Sequence, residues 1–494
     1  MSLTTIESPA KTASDRRWWT LALVVAAQFM VVLDVAIVNV ALPSIKTDLH
    51  FTEASLQWVV TAYTILFGGT LLLGGRLSDL FGRRRLFMAG LFLFTVASAV
   101  DGLAWSSGAL IASRAVQGLG AALLSPAALS ILTTTFREGR ERNIALGIWG
   151  AASGSGAAVG VLLGGVLTSA FGWPWIFYVN LPVGLLLVAL SPTLLQATRA
   201  DLDHRHLDIR GAATITSSLM LLVFAMTRAA QHGWGSASTI GLLTVAAALL
   251  VAFVVVELRS PAPLLPMRLF RLRTLAVSNA TQFLVSAGLF SQFFLLTLYL
   301  QDVLHYSPIQ SGLAYLAFSL TIVVGSNVAQ ALVTRVGIRP VLPVGLLLAA
   351  AGVFGFTQLP VHGHYFWNVF PPLMAAAVGL ALSFVPMVIG GLSGVEGTDA
   401  GVASGLFTTS QQIGGAIGVA AATTIATTFT ARYVDVHPGT TVLGPAALTH
   451  GFAIAFYVLA SLLVLAAVLA IAFIERRPQG DEAVVAEPVL GLAA

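Results

Sequence analysis

The sequence contains no cysteine and few charged residues. Without cysteine, the chain forms neither a disulfide framework nor a thiolate metal site. Charged residues make up 9% of the 494 residues, whereas an ordinary globular chain carries roughly 25%. Hydrophobic residues make up 57%. A water-soluble fold cannot bury that much apolar surface, so the composition excludes a soluble enzyme and predicts a membrane protein.

Lysine is also scarce, with two lysines against 23 arginines. The histidines offer no metal site, because the close pairs His204/His206 and His362/His364 fall in predicted loops without a carboxylate at ligand spacing. The positive charge is spread among short loops, so membrane topology explains it better than nucleic acid, and we expect no nucleic-acid partner. Scarce lysine with abundant alanine is typical of a GC-rich bacterial genome.

Apolar stretches of the length that crosses a bilayer, about 20 residues, follow one another along the chain. The first stretch contains Asp34 and Asn39 and is too long for a signal peptide, so we expect it to be retained. The predicted fold class is therefore an all-α membrane protein with fourteen transmembrane helices. These are predicted near residues 18–42, 56–77, 85–105, 108–132, 142–170, 174–193, 209–229, 236–257, 274–300, 309–332, 338–359, 366–391, 400–430 and 450–474.

The distribution of positive charge supports fourteen helices with both termini in the cytoplasm. In that arrangement 21 cationic residues lie in cytoplasmic segments, and three, Lys46, Arg228 and Arg432, lie outside. Cationic loops resist translocation, so this asymmetry is what a correct helix count produces. We therefore predict a multi-pass protein of the bacterial inner membrane.

The chain resembles itself at an offset of 255 residues. Residues 49–52 match residues 304–307, and Gly82 matches Gly337. The offset pairs helices 1–6 with helices 9–14, as in transporters built from two parallel repeats, and leaves helices 7 and 8 as an inserted pair. The predicted division is a cytoplasmic tail (1–17), a six-helix bundle (18–195), the inserted pair with its connectors (196–273), a second six-helix bundle (274–475) and a cytoplasmic tail (476–494).

Asp34 lies deep in the first predicted helix and is the only acid that we place at such depth. Desolvation favours its protonated form and a nearby cation favours its ionised form, which is the behaviour of a proton-coupling residue. Arg114, the only basic residue placed deep in the membrane, is its natural partner, unless it binds a helix-end carbonyl. The alternatives are a structural carboxylate locked to a donor and an arginine that serves packing alone.

A charged run joins predicted helices 2 and 3 in a tight cytoplasmic turn. Gly82 can adopt the backbone angles of the turn, and Asp79 can pair with arginines or with the positive N-terminus of another helix. Such a contact can break and reform as two halves rock. The predicted conformational switch consists of Gly75, Arg76, Asp79, Gly82, Arg83 and Arg84.

Two further sets of residues remain open to more than one interpretation. Glycines in predicted helix 5 favour either close packing or a bendable gating helix: Gly156, Gly160, Gly164 and Gly165. Amide and aromatic residues at helical spacing favour either helix contact or a cavity for amphiphilic ligands. The candidate cavity residues are Asn39, Tyr63, Gln117, Asn279, Gln282, Ser286, Phe290, Phe293 and Gln411.

Residues 33–43, the 75–85 loop, the glycines of helix 5 and residues 175–184 together resemble one family over essentially the whole chain. It is the major facilitator superfamily, in particular its fourteen-helix drug:proton antiporters of the EmrB/QacA type. Leu110, Arg114, Gln117 and Gly118 are similar to the family's helix 4 motif, whose arginine is associated with proton transfer. Val161 stands where the antiporter motif has proline, which removes a preset bend.

The resemblance implies a proton-coupled efflux transporter that exports hydrophobic or amphiphilic compounds by alternating access. It implies no cofactor besides the proton gradient, and as partners a lipophilic small molecule, protons and the bilayer, with the protein acting as a monomer. One alternative is a proton symporter or uniporter that imports a metabolite. Another is a receptor, scaffold or lipid-handling protein without transport. An enzyme is not expected, since no nucleophile and base pair or metal cluster is visible.

Overall fold

The computed structural model describes residues 9–196, 208–261, 263–437, 439–442 and 444–475. Within these ranges the chain forms helices and short turns and contains no strand. The predicted C-terminal tail, the first eight residues and part of the connector before helix 7, with His204 and His206, lie outside the described residues. The described residues therefore include the membrane helices and most of the loops between them.

Fourteen helices in the described ranges are long and apolar enough to cross a membrane, which confirms the predicted fold class. The first helix itself begins at Pro9. In chain order the spans are α1 (Arg16–Asp48), α2 (Trp58–Phe81), α3 (Arg83–Gly102), α4 (Ser107–Thr135), α5 (Arg140–Phe171), α6 (Trp175–Leu194), α7 (Ile209–Ala229), α8 (Ala237–Arg259), α9 (Arg273–Val303), α10 (Ile309–Val336), α11 (Ile338–Gln358), α12 (Tyr365–Gly391), α13 (Gly397–Val436) and α14 (Pro445–Phe473).

Several spans are interrupted rather than regular. α6 consists of Trp175–Tyr178 and Asn180–Leu194, separated at Val179. α9 ends in a π-helical turn, Tyr299–Val303, and α12 begins with another, Tyr365–Val369. The break in α6 places Asn180 at the start of a helical segment, where it faces the interior of the first six helices.

The backbone repeats unusual conformations at the predicted offset. His50 and His305 both have a left-handed backbone, with φ of 52° and 57°, which is uncommon outside glycine. Thr52 and Ser307 then each form a capping box at the start of the next helix. These pairs lie 255 residues apart, so the two halves share local geometry as well as sequence. The domain boundaries themselves remain a prediction.

The glycine stripe of α5 lies against α1. A Cβ atom added at Gly160 would stand 2.8 Å from Ala36 Cβ and 2.8 Å from the Leu33 carbonyl oxygen. Added at Gly156 or Gly164, it would lie 3.0 to 3.1 Å from its nearest neighbours on α1. The stripe thus permits close helix contact, as the spacing predicted. Its proposed role in gating stays a prediction.

The opposite side of α5 contacts the second half of the chain. Gly165 lies beside Ile309 of α10, and the Val161 side chain lies against Gly312 of the same helix. α5 also packs on α12. This helix therefore belongs to the first half by sequence and forms part of the contact between the halves.

The inserted helix α7 packs on its partner α8, on α2 and on α13. The rings of Trp58 and Phe224 lie 5.7 Å apart, and Trp234 Nε1, in the turn after α7, donates to Thr424 Oγ1 of α13. α7 thus lies against one helix from each half.

We predict that Gly160→Val destabilises the protein by about 1 to 3 kcal/mol, the usual cost of overpacking. The added side chain cannot fit between α5 and α1 without moving one of the helices. Unfolding of the purified protein in mixed micelles, followed by tryptophan fluorescence, measures the effect. The matched control is Gly241→Val on α8, because a Cβ atom at Gly241 meets nothing within 4 Å. Equal loss of stability in both variants would contradict the packing assignment.

Candidate functional site

Asp34 and Arg114 form a buried ion pair. Arg114 Nη1 donates to Asp34 Oδ2 at 2.7 Å, and the two side chains are 1% and 0% exposed. Arg114 Nε also donates to the backbone oxygen of Val59 at 3.2 Å. The arginine therefore binds the carboxylate, one of the two partners that the sequence left open, and also a backbone carbonyl in the first turn of α2. Removing two charges from water is tolerated only when the remaining hydrogen-bonding positions are also satisfied.

The second oxygen of Asp34 is held by two amides. Gln117 Nε2 and Asn180 Nδ2 each donate to Asp34 Oδ1 at 3.0 Å. Gln117 Oε1 in turn accepts from Arg114 Nη1 at 2.5 Å, and Asn180 Nδ2 also donates to Ser98 Oγ at 3.1 Å. The carboxylate is therefore bound by three donors from α4 and α6. Both oxygens of the buried carboxyl thus have hydrogen-bond donors.

Aromatic rings cover the faces of the guanidinium. Arg114 Cζ lies 4.4 Å from the centre of the Tyr63 ring and 5.7 Å from that of Phe177. Ring faces attract cations, most strongly where water is excluded. The Tyr63 hydroxyl is buried and has no hydrogen-bond partner among the described residues. Tyr63 and Gln117, predicted as cavity residues, thus belong to the immediate surroundings of the ion pair.

Asp101 is a second buried acid, which was not predicted from the sequence. It lies in the last turn of α3 and is fully buried. Its Oδ1 accepts from Ser113 Oγ, and its Oδ2 has no hydrogen-bond partner in the described ranges. Asp34 stays the predicted deep acid, because Asp101 lies at the end of its helix. An acid in an otherwise uncharged apolar run was the available signal for Asp101.

Two further buried polar residues, Asn180 and Glu257, were not predicted from the sequence. Asn180 lies within residues 175–184, which carry the family resemblance, but the contact of its amide with Asp34 is seen only in the structure. Glu257, at the end of α8, is 3% exposed and accepts from the backbone N–H groups of Leu264 and Leu265 at 3.0 and 3.1 Å. Glu257 therefore fixes the connector that follows α8, a structural role.

The predicted switch joins the two halves at one end of the bundle. We call this end of the bundle the arginine-rich end. It contains seven arginines: Arg83, Arg84, Arg85, Arg137, Arg140, Arg142 and Arg268. There Asp79 Oδ1 and Oδ2 accept from the N–H groups of Gly401 and Val402, at 3.0 and 2.9 Å. These N–H groups are unpaired within α13 because they lie in its first turn. Asp79 therefore binds the positive end of a helix dipole from the other half.

Neighbouring residues of the switch strengthen this closure. Arg83 donates to Asp79 at 3.3 Å and to the Gly397 backbone oxygen. Gly75 lies in direct contact with Gly401, so the backbones of α2 and α13 approach without intervening side chains. The interactions of the other switch residues lie within the first half or close to it. Gly82 has a φ of 95° in the turn, and Arg84 Nη1 donates to the Leu195 backbone oxygen at 3.3 Å. Arg76 lies within electrostatic range of Glu257.

The remaining candidate cavity residues do not form one group. Asn279, Gln282 and Ser286 are buried in α9, where Gln282 Nε2 donates to Ser286 Oγ at 3.0 Å. Phe293 packs on Tyr315 and Phe318 of α10, with ring centres 4.9 Å apart in both pairs. The others are at least partly exposed: Asn39, Phe290 and Gln411. Their part in a substrate cavity stays a prediction.

The sequence profile of the Major Facilitator Superfamily matches residues 24–419. The chain belongs to the major facilitator superfamily. It is 41% identical to the puromycin resistance protein pur8 of Streptomyces alboniger, over 98% of this chain and 96% of the relative. It is also 41% identical to the cephamycin export protein CmcT of Amycolatopsis lactamdurans, over 86% of this chain and 88% of that one.

Among solved structures, the superfamily fold is seen in the human organic anion transporter MFSD10 (TETRAN). The TM-score is 0.61 at 18% identity, and the match covers 94% of this chain and all of that one. At that identity the likeness supports the fold alone. The superfamily predicted from the sequence motifs is thus confirmed by the profile and the relatives.

We predict that Arg114→Ala lowers the unfolding free energy by about 3 to 5 kcal/mol, because it leaves the buried Asp34 carboxylate without its cation. Unfolding of the purified protein in mixed micelles, followed by tryptophan fluorescence, measures the loss. Arg335→Ala, at an exposed arginine of α10, is the control, and an equal loss of stability in both variants would refute the pairing.

We predict that Asp79→Asn opens the arginine-rich end. A carboxylate at a helix N-terminus contributes about 0.3 to 2 kcal/mol, so its neutralisation shifts the equilibrium toward the open form. Because the chain has no cysteine, Ser404→Cys, at a buried position of α13, supplies a single reporter. Its labelling rate by a hydrophilic maleimide in purified protein is expected to rise several-fold. Asp302→Asn, at an exposed carboxylate, should leave the rate unchanged, and an equal rate in both variants would rule out the switch.

Proposed function

We propose that the protein exports hydrophobic or amphiphilic compounds, antibiotics among them, from a bacterial cell in exchange for protons. Similarity over nearly the full length to the puromycin resistance protein, at 41% identity, supports export. The cephamycin export protein, with similar coverage, supports the same direction of transport. The observation that carries proton exchange is the fully buried Asp34 and Arg114 pair, since a charge is retained inside a membrane protein chiefly for function.

In the proposed cycle, the bundle of residues 18–195 rocks against that of residues 274–475. The arginine-rich end faces the cytoplasm, as the positive-inside rule requires. The contact of Asp79 with the start of α13 closes that end in the present conformation. The substrate path then opens toward the outside, where a compound is released and a proton enters.

Asp34 is the proposed acceptor of the transported proton. Protonation removes the negative charge that Arg114 binds, while the guanidinium keeps its contacts with the Val59 oxygen and the Gln117 amide. The contact then joins a cation to a neutral acid, so it lacks the attraction between two opposite charges. Weakening the contact between α1 and α4 in this way makes the conformational change dependent on a proton.

The proposed substrates are lipophilic cations and neutral amphiphiles of the size of common antibiotics. The buried carboxylate favours cations, and the aromatic residues of α9 favour flat apolar groups. We propose that a single chain suffices, because each half supplies one wall of the path. The proton gradient is the energy source and no cofactor takes part.

We predict that Asp34→Asn abolishes export driven by a pH gradient while leaving the fold intact. The asparagine is isosteric with the protonated acid, so the variant resembles one fixed protonation state. Proteoliposomes with a pH gradient imposed across the bilayer measure transport of ethidium and of puromycin. The control is Asp302→Asn at an exposed position, which should transport as wild type does. Full gradient-driven export by the Asp34 variant would overturn the assignment.

Direction and substrate class are tested in cells and inverted vesicles. A strain lacking the gene should become more susceptible to members of an antibiotic panel, and the restored gene should reverse this. Inverted vesicles should accumulate the same compounds when their interior is acidified. Movement in the opposite direction would indicate a proton symporter that imports a metabolite, and absence of flux would indicate a receptor or lipid-handling protein.

A further inference from the structure

The charges buried around Arg114 do not balance if both neighbouring acids are ionised. Asp34, Asp101 and Arg114 are each at most 1% exposed, and Asp101 interacts electrostatically with the other two. Arg114 makes its direct ion pair with Asp34. Among the residues that the structure describes, the cluster therefore has two carboxyls and one guanidinium. An uncompensated charge at such a site is strongly unfavourable, whereas one bound proton makes the cluster neutral.

The surroundings of Asp101 indicate that it carries this proton. Asp101 Oδ1 accepts from Ser113 Oγ, while Oδ2 is buried without a partner in the described part of the chain. Asp34, by contrast, has a donor at each oxygen. A carboxylate needs donors at both oxygens to stay ionised away from water. Asp34, which has more hydrogen-bond donors, is thus the ionised acid. Asp101, which has fewer, is the neutral acid.

The titratable groups that face Asp101 come from three helices. Arg114 faces it from α4 and Asp34 from α1. Tyr178 of α6 lies alongside, with its hydroxyl donating to the Gly102 backbone oxygen at 2.8 Å. Ser113 and Arg114 are consecutive residues of α4, so one turn of this helix contacts both acids. The two carboxyls are therefore coupled through a single helical segment.

Asp101 lies near one end of the bundle. α3 begins at the arginine-rich end and Asp101 is its penultimate residue, so this acid lies near the opposite end. The donors to Asp101 and Asp34 are adjacent residues of α4, so the two acids lie at about the same level. A proton that enters at the end opposite to the arginines therefore reaches Asp101 at the last turn of α3.

We propose that Asp101 is a second proton-binding site of this transporter, which holds a proton in the present conformation and passes it to Asp34. This inference rests on the proposed proton exchange. In the transfer, the O–H bond on Asp101 breaks and an O–H bond on Asp34 forms, while Arg114 stays protonated throughout. Arg114 then balances the charge of Asp101 instead of that of Asp34. The cluster holds one proton before and after, so the step moves a proton between the two acids without creating net charge in the protein interior.

The test uses infrared difference spectroscopy of the full-length protein in nanodiscs of ether lipid, which has no ester carbonyl to mask the carboxyl stretch. Wild type is expected to show the band of a protonated carboxyl, and Asp101→Asn should lose it. Asp34→Asn should lose it as well, because Asp101 then becomes the only counter-ion of Arg114. Ser113→Ala should keep the band and shift its frequency, since it removes the hydrogen bond to Asp101. Asp302→Asn should leave the spectrum unchanged.

A band that persists in Asp101→Asn would overturn the proposal, because the proton would then lie elsewhere. A band that persists unshifted in Asp34→Asn would overturn it too, because the two acids would not share a proton. Export assays separate this from failure of the proposed function. If a pH gradient does not drive ethidium export by wild type, proton exchange itself is wrong. If it drives wild type and Asp101→Asn equally, Asp101 alone is excluded.

Discussion

The polar interior of the first six helices is organised around one guanidinium. Arg114 binds Asp34, Gln117 and the Val59 carbonyl, and two aromatic rings cover it. A buried pair of charges is tolerated only when every remaining donor and acceptor is matched. Matching them requires α1, α2, α4 and α6 to converge on one point. The relative positions of these helices therefore depend on the contacts of one buried ion pair.

α2 connects this point to the contact between the halves. Near its start, Val59 and Tyr63 contact Arg114, and near its end Gly75 and Asp79 contact α13. About twenty residues separate the two sites, or roughly 30 Å of helix. A rigid helix transmits a shift at one end to the other, so in the proposed cycle α2 takes part in both proton binding and closure. α7 packs along both α2 and α13, which gives the inserted pair a place beside that element.

The sequence predicted the number of helices. It also offered Asp34 as one of two partners for Arg114, and a helix N-terminus as one of two partners for Asp79. Each follows from local chemistry: apolar length, the cost of a buried charge, and a carboxylate beside a flexible turn. Asp101 and Asn180 were missed because burial of a helix end depends on how neighbouring helices tilt, which no single segment encodes. The predicted cavity residues do not form one group for the same reason, since a stripe of residues along a helix does not reveal which neighbouring helix it faces. The two halves share backbone geometry but differ in chemistry at this site. Leu289 and Val369 stand at the positions equivalent to Asp34 and Arg114.

The contact between α5 and α10 constrains how the halves can move. It extends over most of both helices, and small residues allow close approach at several levels: Gly147 beside Gln330, Gly154 beside Ile322 and Gly312 beside Val161. If one end of such a contact opened, it would expose apolar and backbone surface along the whole line, whereas rotation about the line preserves it. The α5 and α10 pair is therefore suited to serve as the pivot, while α2 and α13 separate at the arginine-rich end. A pivot needs close packing more than a preset bend, so the absence of proline beside Gly160 is compatible with alternating access. Val161, the residue in its place, contributes instead to the contact itself.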